Sequence, residues 1–97
     1  MKSLSIILPA YNEEKTIGNF ITELKSLNKF EEIICVDNNS KDNTKEEIII
    51  NQGKYYLETQ QGFGAAVKKG CDMNKSDYFL ICEPDASFSV SDVEKFL

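Results

Sequence analysis

Leu4-Ser5-Ile6-Ile7-Leu8-Pro9-Ala10-Tyr11-Asn12-Glu13-Glu14 decides how this chain is read. Leu4–Leu8 is a short β-rich run ended by Pro9, which predicts a buried strand. Asn12 is placed to cap a helix. Glu13 and Glu14 then fall in its first turn, where the helix dipole favours acids. Beyond them Ile17, Phe20, Ile21, Leu24 and Leu27 recur at helical spacing and form one apolar face. Asn28 and Lys29 close that helix.

The same unit recurs down the chain. Ile33-Ile34-Cys35-Val36 reads as a second buried strand closed by Asp37. A polar turn, Asn38–Asn43, comes next, and Asp42 or Thr44 caps a helix running to about Ile50. Asn51-Gln52-Gly53 is a break before a third strand over Lys54–Glu58. Gln60–Gly64 leads into a helix whose Phe63, Ala66, Val67, Gly70 and Cys71 share one face. Its small residues allow close approach to a sheet. Tyr78–Cys82 is the fourth strand and the most apolar segment, and Ser91 or Asp92 caps a last helix. Strands alternating with helices through short connections predict right-handed βαβ units. The fold class is therefore α/β, a Rossmann-like parallel sheet with helices on both faces.

Composition narrows the function classes. The 97 residues are 41% hydrophobic and 28% charged, which suits one small domain or part of a larger one. Eleven basic against sixteen acidic residues give a net charge of -5, which disfavours nucleic acid as a partner. The absence of His removes Ser-His-Asp and Cys-His catalysis and His-ligated zinc. Every basic residue is Lys, so there is no guanidinium fork for phosphate. The three Cys are an odd number without a CxxC pair, and Cys35 and Cys82, in apolar runs, read as buried thiols of a reducing compartment. No run suits a signal peptide or a membrane span, and a cytoplasmic chain is expected.

In open parallel sheets, ligands bind beyond the carboxyl ends of the strands. Those ends carry Pro9–Glu13, Asp37–Ser40 and Glu83-Pro84-Asp85-Ala86-Ser87, three acid-bearing loops on one edge. Glu83 and Asp85, straight after a buried strand, are hard oxygen donors suited to Mg²⁺ or Mn²⁺ with a phosphorylated ligand. The same pair also reads as a solvated turn. Asp37 reads either as an acceptor for a ribose hydroxyl or base N–H, or as the start of an Asx-turn. Glu13 reads as a ligand contact or as a favourable helix-end charge, and Tyr11 as a stacking ring. Gly62-Phe63-Gly64 opens a helix, but Val67 stands where a dinucleotide fingerprint needs Gly or Ala, and the first strand does not precede it. Lys68 and Lys69 read best as a solvated helix face.

Together these loops resemble the family 2 glycosyltransferases of the GT-A fold. Ser5–Glu14 looks like that family's first strand and Pro-Ala-Tyr-Asn-Glu loop. Ile34–Thr44 resembles its Val-Asp-Asp-Gly-Ser-x-Asp-x-Thr segment. Gln61–Ala66 matches its Gly-x-Gly-x-Ala helix start, and Tyr78–Asp85 resembles the strand leading to its Asp-x-Asp metal motif. The likeness covers essentially the whole chain, in order and spacing, and is nearest to polyprenyl-phosphate mannose and glucose synthases.

The resemblance implies transfer of a sugar from a UDP- or GDP-linked donor to a glycan or lipid-phosphate acceptor. Pro9, Ala10, Tyr11 and Glu13 would line the nucleoside pocket, and Asp37 would bind the base, with Asn39 beside it. Gly62 and Gly64 would let the backbone lie close to the donor. Asp85 would hold Mg²⁺ or Mn²⁺ on the diphosphate, helped by Glu83. The sequence departs from the pattern at Glu83, where the family has Asp, and at Asn38-Asn39, which replace Asp-Gly and put a backbone geometry that Gly permits in question.

Family members are usually much longer, and their acceptor pocket and catalytic base come after the metal motif. Residues 1–97 are therefore expected to be the nucleotide-sugar-binding part of such a domain, truncated shortly after that motif. The sequence offers no candidate for that base. Any attachment to the inner face of a membrane would come from parts outside this chain. An apolar fourth strand left without cover predicts self-association through that edge. The competing expectation is a non-catalytic α/β remnant or binding module with a decayed ligand site.

Overall fold

The computed structural model describes residues 2–84, Ser91 and Lys95. Asp85 and the closing helix expected around Ser91 and Asp92 lie outside the run 2–84. Seven elements alternate: β1 (Leu4–Ala10), α1 (Ile17–Leu27), β2 (Ile33–Asp37), α2 (Thr44–Ile50), β3 (Lys54–Leu57), α3 (Phe63–Met73) and β4 (Tyr78–Ile81). All strand pairings are parallel, in the order β3-β2-β1-β4. The fold is thus the expected α/β, Rossmann-like parallel sheet. The chain steps outward from β1 to β3, then crosses back to place β4 on the other side of β1. The order reverses between β1 and β4, where the loops leaving the two strands diverge and open a crevice.

β1 is buried on both faces. Ile6, Leu8 and Ala10 join Ile17, Phe20, Ile21, Leu24 and Ile48 in one cluster, on the side of α1 and α2. Ile7, with Ile34 and Val36, meets Ala66 of α3 on the other. Period-2 alternation thus sends successive β1 residues into separate cores. The apolar stripe of α1 is buried at Ile17, Phe20, Ile21 and Leu24, each contributing about 1.5–3 kcal/mol by leaving water. A Cβ on Gly70 would stand 2.4 Å from Ile7 Cγ2, so α3 rests on β1 only because that position is bare. Phe63 departs from the expected buried face of α3 and is exposed.

Two expected boundaries move. Pro9 lies inside β1, paired with Val36. The Ile6 N–H and Ala10 C=O bond towards β2, so Pro9, in the alternate phase, faces the β4 side. Pairing with β4 ends at Ile7, and no ladder bond is lost there. Helix α1 begins at Ile17 instead of just after Asn12. Asn12 takes a left-handed φ of 53° and bonds across to the loop after β2: its N–H donates to Ser40 Oγ at 2.8 Å, and its Oδ1 accepts the Lys41 N–H at 2.9 Å. Bonding between loops has displaced the helix cap.

β4 borders the described sheet. Tyr78, Phe79 and Ile81 are exposed there, as its apolar sequence and uncovered edge predicted. Among the described residues no helix is long and apolar enough to cross a membrane.

Candidate functional site

A cleft of about 300 Å³ lies over the carboxyl ends of the strands, lined by Pro9, Ala10, Tyr11, Asn38, Gln61, Gly62, Phe63, Ala66 and Glu83. Its walls are the end of β1, the end of β2, the entry to α3 and the exit from β4. Apolar and aromatic walls with a carboxylate at one side suit a flat, partly polar ligand that also carries charge.

The loops beneath the cleft are tied into one network. The Glu13 N–H donates to Thr44 Oγ1 at 2.8 Å, and the Glu14 N–H to Asp42 Oδ2 at 3.2 Å. Asp42 Oδ1 accepts the Thr44 N–H at 3.0 Å just before α2, whose N-cap position is Asn43 and not Asp42 or Thr44 as expected. Burial works to raise the Asp42 pKa, but hydrogen bonds from Thr44 and Glu14 outweigh it and hold the carboxyl below its usual range. The Thr16 hydroxyl lies 2.9 Å from Glu13 Oε2 and 2.6 Å from the Pro84 carbonyl oxygen. The segment that carries Glu83 is thereby anchored to the loop after β1.

Of the residues expected at the site, Pro9, Ala10, Tyr11, Gly62 and Glu83 line the cleft. Gly62 has a φ of 130°, a conformation that requires glycine. Glu13, Asp37, Asn39 and Gly64 are not among the lining residues. Gly64 faces open space, where a Cβ would meet nothing within 4 Å. Asp37 is buried, and both of its oxygens accept protein hydrogen bonds: Oδ1 from the Ser40 N–H at 2.9 Å and Oδ2 from the Tyr55 hydroxyl at 2.8 Å. The first of these reaches three residues on and closes the turn after β2, in place of the two-residue Asx-turn. Asn39 is exposed and holds a φ of 65°. The left-handed geometry in question at the Asp-Gly replacement is therefore retained, because Asn tolerates that region.

Sequence reasoning passes over Asn38 and Gln61 as site residues. Asn38 reads there only as turn material, although it directly succeeds a buried strand on the ligand-binding edge. Lys68, as expected of a solvated face, pairs with Asp72 at 3.0 Å on the exposed side of α3.

The sequence pattern of glycosyl transferase family 2 matches residues 5–97. This chain belongs to that family. A dolichyl-phosphate beta-glucosyltransferase of Trichomonas vaginalis is 33% identical over 107 residues, covering 94% of this family 2 chain and 33% of the relative. Mannosyl-3-phosphoglycerate synthase from Rubrobacter xylanophilus superposes with a TM-score of 0.82 at 25% identity, over 87% of this chain and 31% of that one. Glucosyl-3-phosphoglycerate synthase from Mycobacterium tuberculosis, solved with Mn²⁺, UDP and glucosyl-3-phosphoglycerate, gives 0.80 at 24% identity. The alignment covers 87% of this chain and 34% of that one, and this likeness speaks to the fold alone. The chain spans about a third of the length of the curated relatives it matches.

Proposed function

We propose that residues 1–97 are the donor-binding part of a glycosyltransferase. It takes a nucleoside-diphosphate sugar, and its acceptor is a polyprenyl phosphate, the class in the Trichomonas relative's name. The observation that carries this reading is one cleft that gathers Pro9-Ala10-Tyr11 from the end of β1, Gly62 from the entry to α3 and Glu83 from the exit of β4. Tyr11 and Phe63 offer faces to a base, and Gly62 brings main chain close to the donor. Asp37, through Ser40 and Tyr55, and Glu13, through Thr44 and Thr16, brace the loops around the cleft.

A chain of net charge -5 without Arg needs a cation to hold a diphosphate. Among the described residues no three His, Cys, Asp or Glu side chains form a ready metal cluster. Mg²⁺ and Mn²⁺ do not need one, since one or two carboxylates plus phosphate oxygens suffice. Glu83 at the cleft, with Asp85 two residues on, fits that donor set. A bound cation would neutralise the leaving nucleoside diphosphate. The chain's own residues would fix the nucleoside and keep water from its apolar face. The acceptor pocket and the base that deprotonates the acceptor are assigned to parts of the domain outside these residues. The chain works on the cytoplasmic side of a membrane, where a lipid phosphate would be presented.

Calorimetric titration with UDP and with GDP, each with and without Mn²⁺, tests this on the parent and on Asp85→Ala and Glu83→Gln. The expected result is binding in the micromolar to millimolar range, about -8 to -4 kcal/mol, that requires Mn²⁺ and is lost in Asp85→Ala. The parent transfers no sugar by itself. A folded parent that binds neither nucleotide would replace this reading with a non-catalytic α/β module.

A further inference from the structure

We propose that Asn38 is the positioning residue of the cleft, clamping the β3–α3 loop into a fixed wall against which the nucleotide is held. This rests on the donor-site reading and adds a residue outside the set expected from sequence. Asn38 is buried at the carboxyl end of β2. Its Nδ2 hydrogens go to the Glu58 carbonyl at 2.9 Å and the Gln60 carbonyl at 2.8 Å. Its Oδ1 accepts the Gly62 N–H at 2.9 Å. Its main-chain carbonyl accepts from Gln61 Nε2 at 2.7 Å, and its N–H donates to the Ala10 carbonyl at 2.8 Å. One residue thus bonds four consecutive or near-consecutive positions of the loop and also the opposite wall.

The chemistry of the clamp needs an amide. Reversing it would set Oδ1 against two carbonyl oxygens and Nδ2 against an N–H, so the orientation is settled by its partners. A carboxylate accepts only. Asp at this position would keep the Gly62 bond and turn the Glu58 and Gln60 contacts into oxygen–oxygen repulsions. The pattern that this segment resembles has Asp there, which would lose both donor bonds. Gln61 and Gly62, which Asn38 holds, and Phe63 next to them all line the cleft with Pro9-Ala10-Tyr11. Gly62 sits at a φ open only to glycine, a conformation that the Asn38 bond stabilises. The wall is therefore set before ligand arrives.

The test combines amide hydrogen exchange by NMR with UDP and Mn²⁺ titration on the parent, Asn38→Asp and Asn38→Ala. In the parent, the Gly62 amide and the Asn38 side-chain NH₂ exchange slowly, a result that needs no variant. Asn38→Asp keeps Gly62 protection and loses at least tenfold in UDP affinity. Asn38→Ala loses both, with β1 and β2 amides unchanged in each variant. A merely structural residue would lower protection evenly and spare no single amide. The proposal is overturned if the parent's Gly62 amide exchanges like an unstructured peptide. It is equally overturned if both variants match the parent in Gly62 exchange and in UDP affinity. If the parent binds no nucleotide, the donor-site reading fails, and exchange at Gly62 and the Asn38 NH₂ alone decides the clamp.

Discussion

The Tyr55 hydroxyl, on β3, donates to Asp37 Oδ2, on β2, at 2.8 Å, while Lys45 of α2 lies 5.4 Å from the centre of the same ring. This joins two strands and a helix behind the cleft floor. Burial first, and then the Asp37 bond, push the Tyr55 phenol above its ordinary value of 10.0. A group whose folded pKa is raised stabilises the fold below its unfolded pKa, and that contribution is lost as pH climbs through the folded value. Urea unfolding should therefore show a Tyr55→Phe deficit of about 1 kcal/mol at pH 8, shrinking as pH rises above 10. Lys54, raised by its hydrogen bond and ion pair with Glu32, titrates in both proteins and cancels in the difference. A deficit that stays constant to pH 12 would remove Asp37 as the partner.

Gly70→Ala tests the close seating of α3. Alanine is the better helix former by about 1 kcal/mol. Its methyl, however, meets Ile7 Cγ2 at 2.4 Å in a packed core, and overpacking of this kind costs about 1–3 kcal/mol. Net destabilisation is expected in urea, and Gly70→Ala with Ile7→Leu, which lacks the Cγ2 branch, should recover part of it. A stabilised single variant would mean that α3 shifts freely on the sheet.

Asn39→Gly should be nearly neutral, whereas Asn39→Val should cost about 1–2 kcal/mol. The position holds a left-handed φ of 65°, which Gly and Asn accept and a β-branched residue resists. Chemical denaturation of the two variants side by side checks it. Equal stability would show that the turn relaxes to another conformation.

Thiol reactivity should separate the cysteines. Cys35 is fully buried, and loss of solvation pushes its pKa from 9.0 to about 12. Its thiolate is thus scarce at neutral pH. Cys71 is only partly buried. Disulfide-exchange labelling of the native chain at pH 8, mapped by mass spectrometry, should modify Cys71 well before Cys35. Labelling of Cys35 at a similar rate would reveal frequent opening of β2.

Phe79→Lys addresses the bare edge of β4. Among the described residues β4 borders the sheet, and Tyr78, Phe79 and Ile81 present apolar surface there, an arrangement that invites strand addition. Sedimentation velocity should show concentration-dependent association in the parent and less of it in Phe79→Lys. A monomeric parent at high concentration would contradict this.

The order of elements was legible because apolar runs of strand length alternate with stripes of helical period. Ile6–Leu8, Ile33–Val36 and the Ile17–Leu24 stripe fill the core as their spacing demands. What escaped was bonding between segments far apart in sequence. Asn12 looks like a cap until Ser40 and Lys41 are brought beside it. Pro9 looks like a stop because the sequence does not show that its empty donor side faces the end of β4. Asp37 faces its own turn and Tyr55, while its neighbour Asn38 lines the cleft. A single residue's step along a strand separates the two, and composition cannot distinguish its two directions.

β1 stands at the middle of the sheet, and that has a kinetic consequence. Of the described strands it is made first, and one of its neighbours is the last of them: Ser3 bonds Asp77, 74 residues along the chain. Nucleation on the β1-α1-β2 unit uses contacts of short sequence separation and should be fast. Closure by β4 is non-local and slow, since such pairing comes only after most of the loop entropy has been lost. At about 5–20 residues per second, β1 waits on the order of seconds on the ribosome with one flank open. Ser5, buried and facing Ser76 at 2.6 Å in the finished fold, is a polar interruption on that waiting strand. It makes the nascent edge a poorer template for the wrong partner.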